Sequence, residues 1–164
     1  MSSEALRRLA AWLAGLWAGS MAGIGLIAAP ALFAVLPRAD AGRVASQLFE
    51  RDAYVGLAAA GLLFIVTMQR ARLAAERGRG SRFSNDMMLS LAALFCVVAG
   101  HFGLQPMIES ARAGGSGFSF AALHAASLIF FAAKLVAAAA LAWRLTTAAE
   151  LPSPPCLRPA ATTS

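Results

Sequence analysis

The chain has 164 residues, 59% of them hydrophobic and 13% charged, and a mean hydropathy of +0.67, whereas an ordinary soluble domain is roughly 45–50% apolar and about 25% charged. That excess cannot be enclosed in one water-soluble core and predicts several membrane spans in one compact domain. The net charge of +6 comes almost wholly from arginine, Lys134 being the only lysine, and a basic excess in a membrane protein marks loops that face anionic lipid, so nucleic acid is set aside as a partner.

Residues 1–8, with Arg7 and Arg8, precede an apolar run over about 9–36. The core of a secretory signal is roughly 7–15 residues long, so this run is expected to persist as a first span. Gly15, Gly19 and Gly23 recur at every fourth position and are expected to line a face where another helix approaches closely. Pro37 ends the span. From Arg38 to Arg51, Ala41, Val44, Ala45, Leu48 and Phe49 fall on one side of a helix, with Arg43, Ser46, Gln47, Glu50 and Arg51 on the other. This division predicts a short interfacial helix, capped by Asp40, lying along the membrane surface.

Asp52 is expected to cap a second span over about 53–69. Arg70, Arg72, Arg77, Arg79 and Arg82 then predict a cytoplasmic loop. Asn85 and Asp86 are expected to cap a third span, about 87–106, closed by Pro106. The link 107–117 ends in a glycine cluster without the lysine and hydroxyl order of a phosphate loop. It predicts a turn joining antiparallel neighbours. Ser119 is expected to cap a fourth span over about 119–144, and the Pro-rich stretch 146–164 to form a disordered cytoplasmic tail. The expected fold is therefore all-α, a four-transmembrane-helix bundle over 9–145 with one interfacial helix after the first span. Arginine asymmetry places both termini in the cytoplasm, and the Ala- and Arg-rich composition suggests a bacterial cytoplasmic membrane.

The candidate chemistry lies where polar groups interrupt the spans. His101 precedes Pro106 by five residues and His124 follows Ser119 by five, so the two imidazoles are expected at matching depth on neighbouring helices. Such a pair is suited to haem or copper, with Cys96 and Met107 as soft ligands and Arg112 near a propionate. The alternative is that each ring makes an ordinary polar contact. Lys134, with Ser127 two turns before it, lies too deep to reach water along its own stem. No carboxylate occurs inside an expected span, which leaves a neutral amine, a water-filled cavity or the helix-end carbonyls near Pro30 to accommodate it, or else a local defect tolerated by bilayer thinning. Cys96 and Cys156 imply no disulfide or metal framework.

Trp17, Leu36, Pro37, Arg38, Gly42, Ser46, Leu48 and Phe49, together with Phe120, His124 and Ser127 in the last span and a proline at Pro106, resemble the pattern of the transmembrane protein 205-like family. The resemblance covers most of 9–143 and implies a small multi-pass helical membrane protein without an established reaction. The chain departs from that pattern at Phe131, where the family commonly has asparagine, and at Lys134, which has no counterpart.

No hydrolase triad, carboxylate pair, dinucleotide loop or channel filter is present, which disfavours an enzyme. The expected function is a membrane protein that holds or passes a small polar ligand or cation near His101, His124, Ser127 and Lys134, with no cofactor. Two alternatives are a haem- or copper-binding protein, and a structural partner of other membrane subunits or of a second copy of itself in the bilayer.

Overall fold

The computed structural model describes residues 3–76, 78, 83–115 and 117–147. The tail with Cys156, and the loop residues Arg77, Arg79 and Arg82, lie outside them. The fold is all-helical: α1 (Ser3–Ala22) and α2 (Ala29–Val35) flank a π-helical segment (Gly23–Ala28); α3 is Arg38–Glu76; α4 (Asn85–Val98) and α5 (Gln105–Arg112) flank a second π-helical segment (Ala99–Leu104); and α6 is Phe120–Thr147. These form four rods, each long and apolar enough to cross a membrane. α1 packs along α6, and α4 packs between α3 and α6.

The bundle turns its large apolar side chains outward, with Trp12, Leu26, Ile27, Ile129, Val136 and Trp143 all exposed. Its centre holds small residues, among them Ala14, Ala60, Ala93, Ala137 and Ala138, with Met21, Leu63 and Leu141. This distribution suits a solvent of lipid tails. Burial of apolar area supplies no drive there, and close van der Waals packing of small residues does.

The structure corrects four expectations about local structure. First, the interfacial helix and the second span are one helix, α3, about 58 Å long at 1.5 Å per residue and so longer than a hydrocarbon core of roughly 30 Å. Asp52 is therefore no cap. The helix continues through Glu50-Arg51-Asp52 because the Asp52 charge is satisfied by a partner on α6. Second, Pro106 does not close its helix. Each of Pro30 and Pro106 follows a six-residue π-helical segment that starts seven positions earlier, and this widening accommodates the proline ring against the carbonyl of the preceding turn.

Third, Ser84 is the N-cap of α4, its Oγ accepting from Met87 N at 3.2 Å, and Asn85 and Asp86 lie in the first turn. Fourth, Gly15, Gly19 and Gly23 meet no other helix among the described residues: a Cβ built on any of them has no atom of those residues within 4 Å, apart from its own helix backbone. α1 instead buries the neighbouring stripe Ala10, Ala14, Trp17, Ala18 and Met21. The close-approach glycines are Gly25, Gly56 and Gly100, whose missing Cβ atoms would sit 2.9 Å from Phe131 Cε1, 3.3 Å from Trp17 Cζ2 and 3.4 Å from Phe130 Cβ.

Ser119 caps α6 as expected, its Oγ accepting from Ala122 N at 3.2 Å. Gly114, at φ +78°, makes the turn before it in a conformation that favours glycine. At the opposite end of the bundle Asp86 accepts from Arg144 Nε at 2.8 Å and faces Arg70, which joins α3, α4 and α6. Arg7 donates to the Leu145 carbonyl and pairs with Glu4 at 2.6 Å, which fastens α1 to α6.

Candidate functional site

Faces of α3, the α4–α5 rod and α6, with Phe33 of α2, converge on a cavity of about 210 Å³. α3 contributes Gly42, Ser46, Phe49 and Ala53, spaced so that they share one side of the helix; the α4–α5 rod contributes Cys96, Gly100, His101 and Arg112. α6 contributes His124, Ser127, Phe131 and Lys134, at intervals of three, four and three residues, which makes a stripe along one face. From His124 to Lys134 the stripe descends roughly 15 Å at 1.5 Å per residue. At one end the cavity adjoins a surface recess lined by Arg38, Arg43 and Arg112, and Gly42, Ser46 and Arg112 border both spaces.

The other end of the cavity reaches Lys134, midway along α6. Its Nζ donates to Asp52 Oδ2 at 2.6 Å, and the two side chains are 9% and 2% exposed. Lys134 Nζ also lies 5.0 Å from the Phe131 ring centroid, within cation–π range. Phe131 is held in turn by Phe49, edge-to-face at 5.3 Å, and by the bare backbone of Gly25. The π-helical segment before Pro30, the face of α3 and the ion pair thus meet at one aromatic ring.

All four candidate residues, His101, His124, Ser127 and Lys134, border this one cavity. The rings of the two histidines pack against aromatic neighbours: His101 lies edge-to-face with Tyr54 at 5.4 Å and with Phe102 at 4.9 Å, and His124 stacks on Phe120 at 5.8 Å. Among the described residues no group of three or more His, Cys, Asp or Glu side chains is arranged to hold a metal ion. Cys96 and Arg112 border the cavity.

The residue missed by sequence reasoning is Asp52. The available signal was the demand of an intramembrane lysine for a carboxylate, which the assignment of Asp52 as a cap concealed. Arg112, placed in the turn between spans, instead ends α5 at the cavity mouth because the helix passes through Pro106. Of the motif residues, Gly42, Ser46 and Phe49 line the cavity, Arg38 lines the recess, Phe120 stacks on His124, and Trp17 packs on Gly56.

The model of a family described as a domain of unknown function, DUF4149, matches residues 12–117. The chain belongs to that family. The DUF4149 match takes in most of the first rod and all of the second and third, including Asp52, His101 and Arg112, and stops before α6, so the wall carrying His124, Ser127 and Lys134 lies beyond it. No curated protein and no solved structure matches the chain.

Proposed function

We propose that this DUF4149 member is a non-enzymatic, multi-pass membrane protein that holds or passes a small polar ligand through the cavity between α3, the α4–α5 rod and α6. The observation that carries this reading is that His101, His124, Ser127 and the buried, Asp52-paired Lys134 all border one otherwise largely apolar cavity, which adjoins the arginine-bordered recess. Two charges in mid-bundle carry a desolvation penalty of several kcal/mol each, and a chain that only filled the bilayer would be served as well by two leucines. The resemblance to the transmembrane protein 205-like family supports the multi-pass architecture and brings no reaction with it.

Arg7, Arg8, Arg70, Arg72 and Arg144 cluster towards the end of the bundle that holds Ser3 and Thr147, and Arg38, Arg43, Arg51 and Arg112 belong to the other half. With the termini in the cytoplasm, the recess faces away from it.

The two cysteines test both halves of this reading. A small, charged, membrane-impermeant methanethiosulfonate applied to intact cells should modify Cys96 through the cavity and leave Cys156 untouched until lysis. Modification of Cys156 in intact cells would reverse the orientation, and a Cys96 that reacts only in denatured protein would remove the accessible cavity.

A further inference from the structure

We infer that the ligand of this cavity is an amphiphilic anion, an oxyacid head such as a carboxylate or phosphate ester on one or two short apolar tails, with its head held by Arg112. The inference rests on the cavity reading above and specifies its ligand class. Among the described residues Arg112 is the one cationic residue that borders both the recess and the cavity. Its guanidinium carbon lies 5.3 Å from the Phe120 ring centroid, and among the described residues no carboxylate is within ion-pair distance of it. Arg7, Arg8, Arg43, Arg70 and Arg144 each have such a partner. A guanidinium within cation–π range of a ring does not spend its N–H donors on that ring, so they stay available for a bidentate oxyanion.

The surrounding charges point the same way. Arg38 and Arg43 border the recess with Arg112, Arg43 being paired with Asp40, and the carboxylate bordering the cavity is that of the exposed Glu50. A cation would meet this arginine group first and be repelled, whereas an anion is concentrated there. Deeper in, the Lys134 charge is already neutralised by Asp52, so the inner end offers no unpaired cation for a second anionic head. Between the two ends the walls are Phe33, Phe49, Phe130, Phe131 and Leu128. The space is lined mostly by apolar groups that water and small inorganic ions leave unsatisfied. An apolar tail is complementary to them. His124 and Ser127 add donors along the polar stripe of α6.

The experiment uses the full chain in phosphatidylcholine nanodiscs, titrated calorimetrically against empty nanodiscs with octanoate, dioctanoyl phosphatidate, octylammonium and octanol. Saturable binding of an anion, octanoate or phosphatidate, is expected, with octylammonium and octanol showing only the partitioning seen in empty discs. Arg112→Gln should weaken anion binding about tenfold or more, the scale of one lost charge-assisted hydrogen bond. Arg112→Lys should recover part of this, and Arg51→Gln, an exposed arginine outside the cavity, should bind as the parent does. Preference for phosphatidate assigns a membrane-lipid source, and preference for octanoate a free acid; either supports the inference. Octylammonium or octanol binding as tightly as the anions would overturn the anion assignment and leave the cavity reading standing. Saturable binding by none of the four would overturn the inference even if Cys96 proves accessible. The comparison among ligands on the parent protein decides the class even if an Arg112 variant fails to fold.

Discussion

Lys134 Nζ lies 2.6 Å from Asp52 Oδ2, across 82 positions of sequence and in the middle of a helical bundle. The pair ties α6 to α3 at the depth where an unpaired charge is most costly. It also makes the inner end of the cavity neutral, so that the polar stripe on α6 ends in a closed charge pair.

Removing one partner should therefore be worse than removing both. Lys134→Met leaves a buried carboxylate without its cation and should destabilise the bundle by about 3–5 kcal/mol, whereas Lys134→Met combined with Asp52→Leu should recover most of that loss. Denaturation of the purified variants in a mild detergent reads both values. A Lys134→Met protein as stable as the parent would mean that Asp52 does not need its partner.

Trp17 and Gly56 set a second contrast. A Cβ at Gly56 would lie 3.3 Å from both Cζ2 and Nε1 of the buried indole, whose N–H has no hydrogen-bond partner among the described residues and little freedom to shift. Gly56→Leu should overpack the α1–α3 contact and cost about 1–3 kcal/mol or more. Gly19→Leu, which meets nothing within 4 Å, should leave the stability of the isolated chain nearly unchanged. If Gly19→Leu also lowered the melting temperature in detergent, the first-span glycines would pack against a second copy or another subunit.

Arg7 and Arg8 are neighbours with different duties. The Arg7 side chain is 8% exposed and donates to the Leu145 carbonyl, whereas Arg8 is 72% exposed and, among the described residues, pairs only with Glu4 one turn away. Arg7→Met should cost about 1.5–3 kcal/mol, the range for a hydrogen bond from a charged donor, and Arg8→Met less than about 1 kcal/mol, as for an exposed ion pair. Equal losses in the two variants would show that the contact with α6 contributes nothing.

The two histidines are expected to remain free of metal. Their rings pack against Tyr54, Phe102 and Phe120, and further ligands are not assembled around them among the described residues. Protein purified without chelator should show no stoichiometric metal and no Soret band. A bound metal or haem lost in both His101→Ala and His124→Ala would restore the cofactor alternative.

The membrane character and the number of spans were legible in the chain itself, because apolar length is a local sum that any bilayer-spanning helix must satisfy. The Ser119 cap and the glycine turn before it were legible for the same reason: both are set by a few consecutive residues. Also legible was that His101, His124, Ser127 and Lys134 are exceptions to an apolar background, since a polar group at that depth requires an explanation wherever its helix points. Local rules misled where two of them competed. Asp52 and Pro106 have the chemistry of helix ends, and each lies inside a continuous rod because a distant lysine satisfies one and a π-helical segment accommodates the other. Only the tertiary structure decided the rotation of each rod about its axis. That rotation turned Gly19 outward and Gly56 onto Trp17, aligned the stripe of α6 with α3, and brought Lys134 to Asp52. Rotational phase depends on which side chains interdigitate across the bundle, a property of pairs of helices that no single stretch of sequence contains.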